Sequence, residues 1–560
     1  MTGTIPPGLP PVGPPVGPLT GPPDYALEER TIGRVLADKA RRIAQRTFLL
    51  WQGQSHTYAE LDAMTSRYAN GFAALGIGHG DHVAVMLPNC PEFYWVVWGL
   101  GKIGAVAVPL NTAAKGEILR YFIDQSDSVC LVIDDEWAGR LTTVAPFLPK
   151  LRTVLHRAPE GAPALPIDNA AVRILPLHAA DSGDDTAPPV DRVRHDDTQL
   201  IIYTSGTTGP SKGVMCPHSQ SLFVGRQMAL DYGYRPDDVL YTCLPLFHAN
   251  ALFYSSCAAL WADAAIALAP RFSASQFWDD IRASGATQFN SLGAMSNIIL
   301  QLPPGPHERE HALRQCMVVP MQKALLSEIG ERFGVQVTSL FAMSENYAVT
   351  VFVPGDRPDK AGSAGSARGA SELRIVEDDG TVLAAGQVGE IQMRPRFAGS
   401  MMKGYYRMPD ETGRAFVDGW FCTGDRGFLD EDGYLYFVDR KKEAIRRRGE
   451  NISAYEVEMI LSKHPAVLEV AAVPVPSELS EDEVMVYVVR KPGSTVAAAE
   501  LIHFAIEHMN YYMVPRFIDF IDALPKTATE KIEKYKLKQD AVSRRASLWD
   551  REREGIAVRR

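Results

Sequence analysis

Residues 203–213 read Tyr-Thr-Ser-Gly-Thr-Thr-Gly-Pro-Ser-Lys-Gly, directly after the apolar, strand-like run Leu200-Ile201-Ile202-Tyr203. A strand that empties into such a segment is strongly constrained. Gly206 and Gly209 let backbone N–H groups approach and point inward, Thr204, Ser205, Thr207, Thr208 and Ser211 offer hydroxyl donors, and Lys212 brings a cation. Together they make a loop able to wrap phosphates. It is not a Walker A loop, which needs glycine immediately before the lysine and Ser or Thr after it; here the order is Ser211-Lys212-Gly213.

The remaining composition narrows the class. A chain of 560 residues points to more than one domain, and 46% hydrophobic with 22% charged residues is ordinary for a globular enzyme. A net charge of -10, from 57 basic and 67 acidic residues, argues against a nucleic-acid-binding surface and fits a cytoplasmic protein. The seven cysteines are scattered and never form a Cys-x-x-Cys pair, so they read as reduced thiols without a zinc site. No apolar run reaches the length of a membrane span; residues 94–110 come nearest and are broken by Lys102. Residues 1–23 are rich in Pro and Gly, lack the basic-then-apolar order of a signal peptide, and read as a disordered tail.

From Tyr25 onward helical and strand-like segments alternate, which predicts layered α/β structure with parallel sheets. Thr57 and Glu60 form a Thr-x-x-Glu capping box ahead of an apolar face through Leu61, Met64, Tyr68 and Phe72. Residues 81–87, 105–110 and 130–133 read as short strands, 158–192 as a loose Ala/Pro/Asp-rich connection, 219–230 as a helix and 241–248 as a strand. Residues 289–295 read as pocket wall or apolar core strand. Later come Phe341-Ala342-Met343-Ser344-Glu345, Thr423-Gly424-Asp425, Asp439-Arg440-Lys441-Lys442-Glu443, Arg446-Arg447-Arg448-Gly449-Glu450-Asn451-Ile452 and Leu524-Pro525-Lys526-Thr527-Ala528-Thr529-Glu530-Lys531-Ile532.

With the loop at 203–213, these segments resemble the adenylate-forming superfamily of acyl- and aryl-CoA synthetases, luciferases and adenylation domains, over about residues 25–550. The match is best to the crotonobetaine/carnitine-CoA ligase-like subgroup, which also lacks the usual Gly-Gly-Ala-Pro loop replaced here by Val318-Val319-Pro320-Met321-Gln322. The resemblance implies a large N-terminal domain (24–439) of layered α/β subdomains with parallel sheets and a β-barrel-like part. A hinge (440–442), a small mobile α+β domain (443–545) and a charged tail (546–560) follow. It implies ATP, Mg²⁺ and CoA as cofactors and a small-molecule carboxylic acid as substrate. Thr204, Ser205, Gly206, Thr207, Thr208, Gly209 and Lys212 would hold the β- and γ-phosphates. Phe341 would stack on adenine, Ser344 would contact phosphate, and Glu345, with Thr204, would ligate magnesium. Asp425, reinforced by Arg440, would hold the ribose. Lys442 would be the hinge, Gly449 would line the pantetheine tunnel and His248 would stand beside the acyl pocket. Lys531 would bridge carboxylate and α-phosphate in the first half-reaction.

Departures remain visible. Pro210-Ser211 reverses the usual order, in which proline directly precedes the lysine; Ala342 replaces glycine, and Glu530 replaces the glycine before Lys531. Read without the resemblance, His248 is equally a satisfied core histidine, Glu345 a solvated loop carboxylate, the Arg446–Arg448 cluster a solvated basic face, and Lys531 one lysine in a charged tail. The acceptor is open too: an amine in place of CoA would yield an amide, and nitrite in place of the acid would serve to diazotise an aromatic amine. Oligomeric state is not legible.

Overall fold

The Thr57 box forms as its spacing predicts. In the computed structural model, Thr57 Oγ1 accepts the Glu60 N–H at 3.2 Å, and the Glu60 carboxylate accepts the Thr57 N–H at 2.7 Å. The structure describes residues 24–558 except 160, 163, 164, 166, 168, 170, 205–209, 306–307, 320–322, 347–348, 369, 441–443, 479–480 and 526–531, and gives only backbone at 293, 294, 323–325, 439, 440, 444, 451 and 455. Helix Tyr58–Ala74 buries Leu61, Tyr68 and Phe72 and packs on helix Pro91–Lys102. A Cβ at Gly99 would lie 2.9 Å from the Thr65 carbonyl oxygen, so glycine is what lets the two helices approach.

Chain contacts divide the protein into two units, Met1–Thr112 with Ile123–Ile202 and Gly213–Val438, and Ala113–Phe122 with Tyr203–Lys212 and Asp439–Arg560. Most of the first unit is built on two predominantly parallel sheets. One has seven strands in the order Arg173–Pro176, Thr153–Arg157, Cys130–Asp134, His82–Met86, Val106–Pro109, Thr198–Thr204, Lys212–Pro217, and its last two strands lead into and out of the 203–213 loop. The other has eight, with the parallel pairs running through Gln336–Phe341, Gln315–Val319, Gln288–Leu292, Val239–Thr242, Ala265–Leu268 and Thr47–Trp51, and an antiparallel strand at each edge. Strands such as Val106–Pro109 and Ala265–Leu268 are apolar runs buried along their whole length, as parallel sheets favour. The part expected to be barrel-like is a five-stranded sheet in which Gly389–Pro395 and Trp420–Leu429 are central and antiparallel to each other, with Ser371–Val376 antiparallel to Gly389–Pro395 at one edge. Among the described residues no helix is long and apolar enough to cross a membrane.

The second unit carries a four-stranded sheet in the order Val467–Pro476, Asp482–Arg490, Phe517–Phe520, Trp549–Asp550, with helices Ala454–Leu461, Ala498–His508 and Lys534–Arg544. Ala471, Val473, Met485, Tyr487, Phe517 and Leu537 form its core.

Three local expectations change. The 158–192 connection contains a strand, Arg173–Pro176, paired in parallel with Thr153–Arg157. The strand expected at 241–248 ends at Thr242, because Pro245 cannot donate to a ladder, and a π-helix at Asn250–Cys257 follows. The 546–560 segment is not a peripheral charged tail. Trp549–Asp550 is an edge strand, and Asp550, 2% exposed, accepts from Arg516 Nη2 at 3.0 Å.

Candidate active site

The loop is framed by two well-defined ends. Strand Thr198–Thr204 delivers Thr204 and strand Lys212–Pro217 begins at Lys212; both residues are half-buried, and Thr204 Oγ1 donates to the Lys212 carbonyl at 3.5 Å. Ser205, Gly206, Thr207, Thr208 and Gly209 lie outside the described residues. The entry is braced by Tyr203, whose ring stacks on Phe122 with centroids 4.4 Å apart.

Glu345 is tied to the strand that leaves the loop. Lys403 N–H donates to the Met215 carbonyl at 2.9 Å, Met215 N–H to Gly404 at 3.0 Å and Tyr406 N–H to Gly213 at 2.8 Å, so residues 403–406 run beside 213–215. Tyr405, carried on that segment, donates its hydroxyl to Glu345 Oε1 at 2.7 Å. The Glu345 carbonyl accepts from Met402 N–H at 2.9 Å and from Gln220 Nε2 at 3.1 Å. Burial, reinforced by the adjacent Glu345 charge, pushes the Tyr405 phenol well above its usual range, so it remains a donor. Tyr405 was not singled out from sequence; it lies 60 residues from Glu345, and only the strand pairing connects them.

This arrangement fits magnesium. Mg²⁺ takes one or two protein carboxylates and fills the rest of its shell with water and substrate phosphate. Glu345 offers one carboxylate held at one oxygen, with the Ser344 hydroxyl next to it in sequence. Among the described residues no group of three His, Cys, Asp or Glu forms an all-protein metal cage. Just upstream, Phe341 ends strand Gln336–Phe341 and lies 6.3 Å, centroid to centroid, from Phe437.

Asp425 is placed on the five-stranded sheet, within strand Trp420–Leu429, and is 9% exposed. Its N–H donates to Thr423 Oγ1 at 3.1 Å, while Thr423 Oγ1 donates to the Ile391 carbonyl at 2.7 Å. The turn is thus fixed by its own threonine. Arg440 ends strand Leu435–Arg440, with its side chain outside the description, and Lys442 and Lys531 lie outside the described residues. Glu533 N–H donates to the Pro525 carbonyl at 2.8 Å.

His248 stands half-buried in the turn before the π-helix, its ring 4.5 Å from that of Phe247. Beside this turn lies a polar network that the apolar reading of 289–295 missed. Gln288 Nε2 donates to Asn290 Oδ1 at 2.6 Å, and Asn290 Nδ2 donates to Asn250 Oδ1 at 2.9 Å and Ser255 Oγ at 3.1 Å. The signal was available in the strand itself, since Gln288, Asn290 and Ser291 are polar residues in a central parallel strand. Asn346 is 2% exposed and donates to Ser371 Oγ at 3.4 Å.

In the second unit Gly449 sits in a two-residue hairpin turn between strands Ala444–Arg447 and Glu450–Ser453, with φ of 54° at Arg448 and 83° at Gly449. Both values are left-handed, as this turn demands. The arginine cluster is not a uniform solvated face. Arg447 is 3% exposed, pairs with Glu483 at 2.6 Å and donates to the Tyr512 and Val514 carbonyls at 3.0 and 2.9 Å. Burial, only partly offset by Glu483, lowers its guanidinium to about 10. A cavity of about 310 Å³ opens beside it, lined by Arg447, Arg448, Tyr511, Tyr512, Arg551 and Glu552 among others.

The sequence profile of the AMP-binding enzyme matches residues 36–406, and that of the AMP-binding enzyme C-terminal domain matches 456–531. The chain belongs to the AMP-binding enzyme family. This AMP-binding enzyme is 34% identical, over 86% of its length and 93% of the relative's, to the crotonobetaine/carnitine–CoA ligase of Salmonella heidelberg. Its fold is similar to o-succinylbenzoate CoA synthetase from Bacillus subtilis bound with a product analogue, with TM-score 0.78 and 27% identity over 90% of this chain and 98% of that one. It is also similar to ATP-bound MatB from Rhodopseudomonas palustris, with TM-score 0.66 and 28% identity over 92% and 99%. The paired parallel sheets and antiparallel third sheet are therefore the fold of adenylate-forming ligases.

Proposed function

We propose that this AMP-binding enzyme is an ATP-dependent acid–CoA ligase. The observation that supports this reading is the Tyr405–Glu345 contact, which holds a carboxylate next to the pairing of residues 403–406 with 213–215. In the first half-reaction a substrate carboxylate oxygen attacks the α-phosphorus of ATP, the bond to the β-phosphate oxygen breaks, and pyrophosphate leaves. In the second the CoA sulfur, having given up its proton, attacks the acyl carbon, and AMP leaves with the electrons of the carbon–oxygen bond.

Thr204, Ser205, Gly206, Thr207, Thr208, Gly209 and Lys212 hold the β- and γ-phosphates in this reading. Phe341 packs on adenine, Ser344 meets phosphate, and Asp425 with Arg440 takes the ribose hydroxyls. Magnesium, bound by Glu345 with Thr204, would neutralise phosphate charge. Lys531 stabilises the charge that builds as two anions meet, and Lys442 is the hinge that withdraws it. Gly449 admits the pantetheine chain, and the arginine-lined cavity supports a phosphate-bearing cofactor such as CoA. His248 and the Asn250–Asn290 pair line the acid side, where a polar or charged small acid would find partners. The relatives' named substrates, carnitine, crotonobetaine and o-succinylbenzoate, are of that kind. The net charge of -10 fits a cytoplasmic enzyme.

The test is pyrophosphate release by the purified full chain across short, branched, aromatic and betaine acids, with and without CoA. One acid should give pyrophosphate, and AMP with a CoA thioester in equal amounts only when CoA is present. Release with nitrite alone, or acyl transfer to an amine with none to CoA, would overturn the CoA ligase assignment, and no release with any acid would overturn adenylation itself.

A further inference from the structure

The inverted Pro210-Ser211 order has a structural counterpart within the second unit. Ser211 is 3% exposed, and its carbonyl, N–H and hydroxyl are all engaged. The carbonyl accepts the Tyr121 hydroxyl at 2.8 Å. The N–H and hydroxyl both donate to one oxygen, Glu456 Oε1, at 3.2 and 2.5 Å. Glu456 is 8% exposed, in the first turn of helix Ala454–Leu461, where its own N–H is capped by Ser453 Oγ at 3.4 Å. Burial raises its carboxyl above the usual range, and the bonds from Ser211 act against that rise. The usual proline at position 211 would offer neither N–H nor hydroxyl, so the pair exists only because of the inversion.

We propose that Glu456 is an internal anion for the phosphate loop, taking the Ser211 donors while the loop holds no pyrophosphate and yielding when ATP binds. Carboxylate and phosphate oxygens compete for the same N–H and O–H donors. Two anions at one loop also repel, more strongly where water is excluded. The contact and a bound triphosphate therefore disfavour each other, and the contact favours the state that follows pyrophosphate departure. It couples loop occupancy to the seating of helix Ala454–Leu461 and of the hairpin before it, which carries Gly449. This rests on the proposed grip of the loop on the β- and γ-phosphates.

Calorimetric titration of the full chain with Mg·ATP, and separately with pyrophosphate, tests it. E456A should tighten both ligands by roughly tenfold or more, the range of a lost charge-assisted hydrogen bond. E456Q, which keeps the acceptor but not the charge, should tighten them by less. S211P withdraws the contested donors from both anions, so the gain from E456A should shrink in the S211P background. Unchanged or weaker binding in E456A would overturn the proposal, as would an equal gain from E456A in the S211P background, which would mean that Glu456 acts without Ser211. Thermal melts establish folding; if E456A does not fold, E456Q against wild type, with and without S211P, decides by the same criterion. A wild-type chain that binds neither ligand would instead contradict the ligase reading.

Discussion

In the proposed function Glu345 would meet magnesium through one carboxylate oxygen, and the Tyr405 hydroxyl, at 2.7 Å, holds Oε1. Y405F removes that bond and leaves the backbone contacts of Glu345 in place. A hydrogen bond to a charged group contributes about 1.5–3 kcal/mol, so Y405F should lower the rate of pyrophosphate exchange by roughly ten- to a hundredfold at limiting magnesium. The magnesium concentration needed for half-maximal exchange should rise. Exchange by Y405F at the wild-type rate and wild-type magnesium dependence would show that Tyr405 does not orient Glu345. Glu345 and Ser344 were singled out because their neighbours in the chain carry the pattern. Tyr405 was not, because its partner is reached only through the pairing of Val214 with Tyr405.

Two helices meet at one imidazole. Ile32 begins helix Ile32–Arg42, and its N–H, one of the donors a helix start leaves unpaired, reaches His218 Nδ1 at 3.3 Å at the start of helix His218–Asp231. An accepting nitrogen carries no proton. Complete burial is the main reason the imidazole is lowered from 6.5 to about 3, with the Asp197 charge working against it. The unfolded chain thus takes up a proton below about pH 6.5 while the folded chain stays neutral, so stability rises with pH across the 6.5-to-3 window. Acidification through it should remove up to about 1.4 kcal/mol per pH unit from this group. Melting temperatures measured between about pH 7 and about pH 5 should fall more steeply for wild type than for H218Q. Equal slopes would mean that His218 takes up its proton in the fold at the same pH as in the unfolded chain. Elements whose determinants are local were readable: the Thr57–Glu60 box lies within four residues and formed as expected. Strands Arg173–Pro176 and Trp549–Asp550 were not. They are short, lie in polar or Pro-rich stretches, and owe their conformation to distant partners, Thr153–Arg157 and Phe517–Phe520.

At the scale of the whole molecule, the parallel sheets were legible because strands such as Val106–Pro109 and Cys130–Asp134 are short, largely apolar runs separated by helical periodicity. The grouping of Ala113–Phe122 and Tyr203–Lys212 with the C-terminal segment was not, since no periodicity within either stretch records what it packs against. Arg447 shows the same limit: a charge run reads as solvated until Glu483 and two carbonyls are found around it. The central claim is that one lysine serves one of two half-reactions at a shared site. Its most direct measurement is the K531A chain assayed in each half separately, by pyrophosphate exchange into ATP and by thioester formation from a supplied acyl-adenylate and CoA. Exchange should fall by about a hundredfold or more while thioester formation from the adenylate stays near the wild-type rate. Equal loss of both halves, or exchange at the wild-type rate, would contradict the claim.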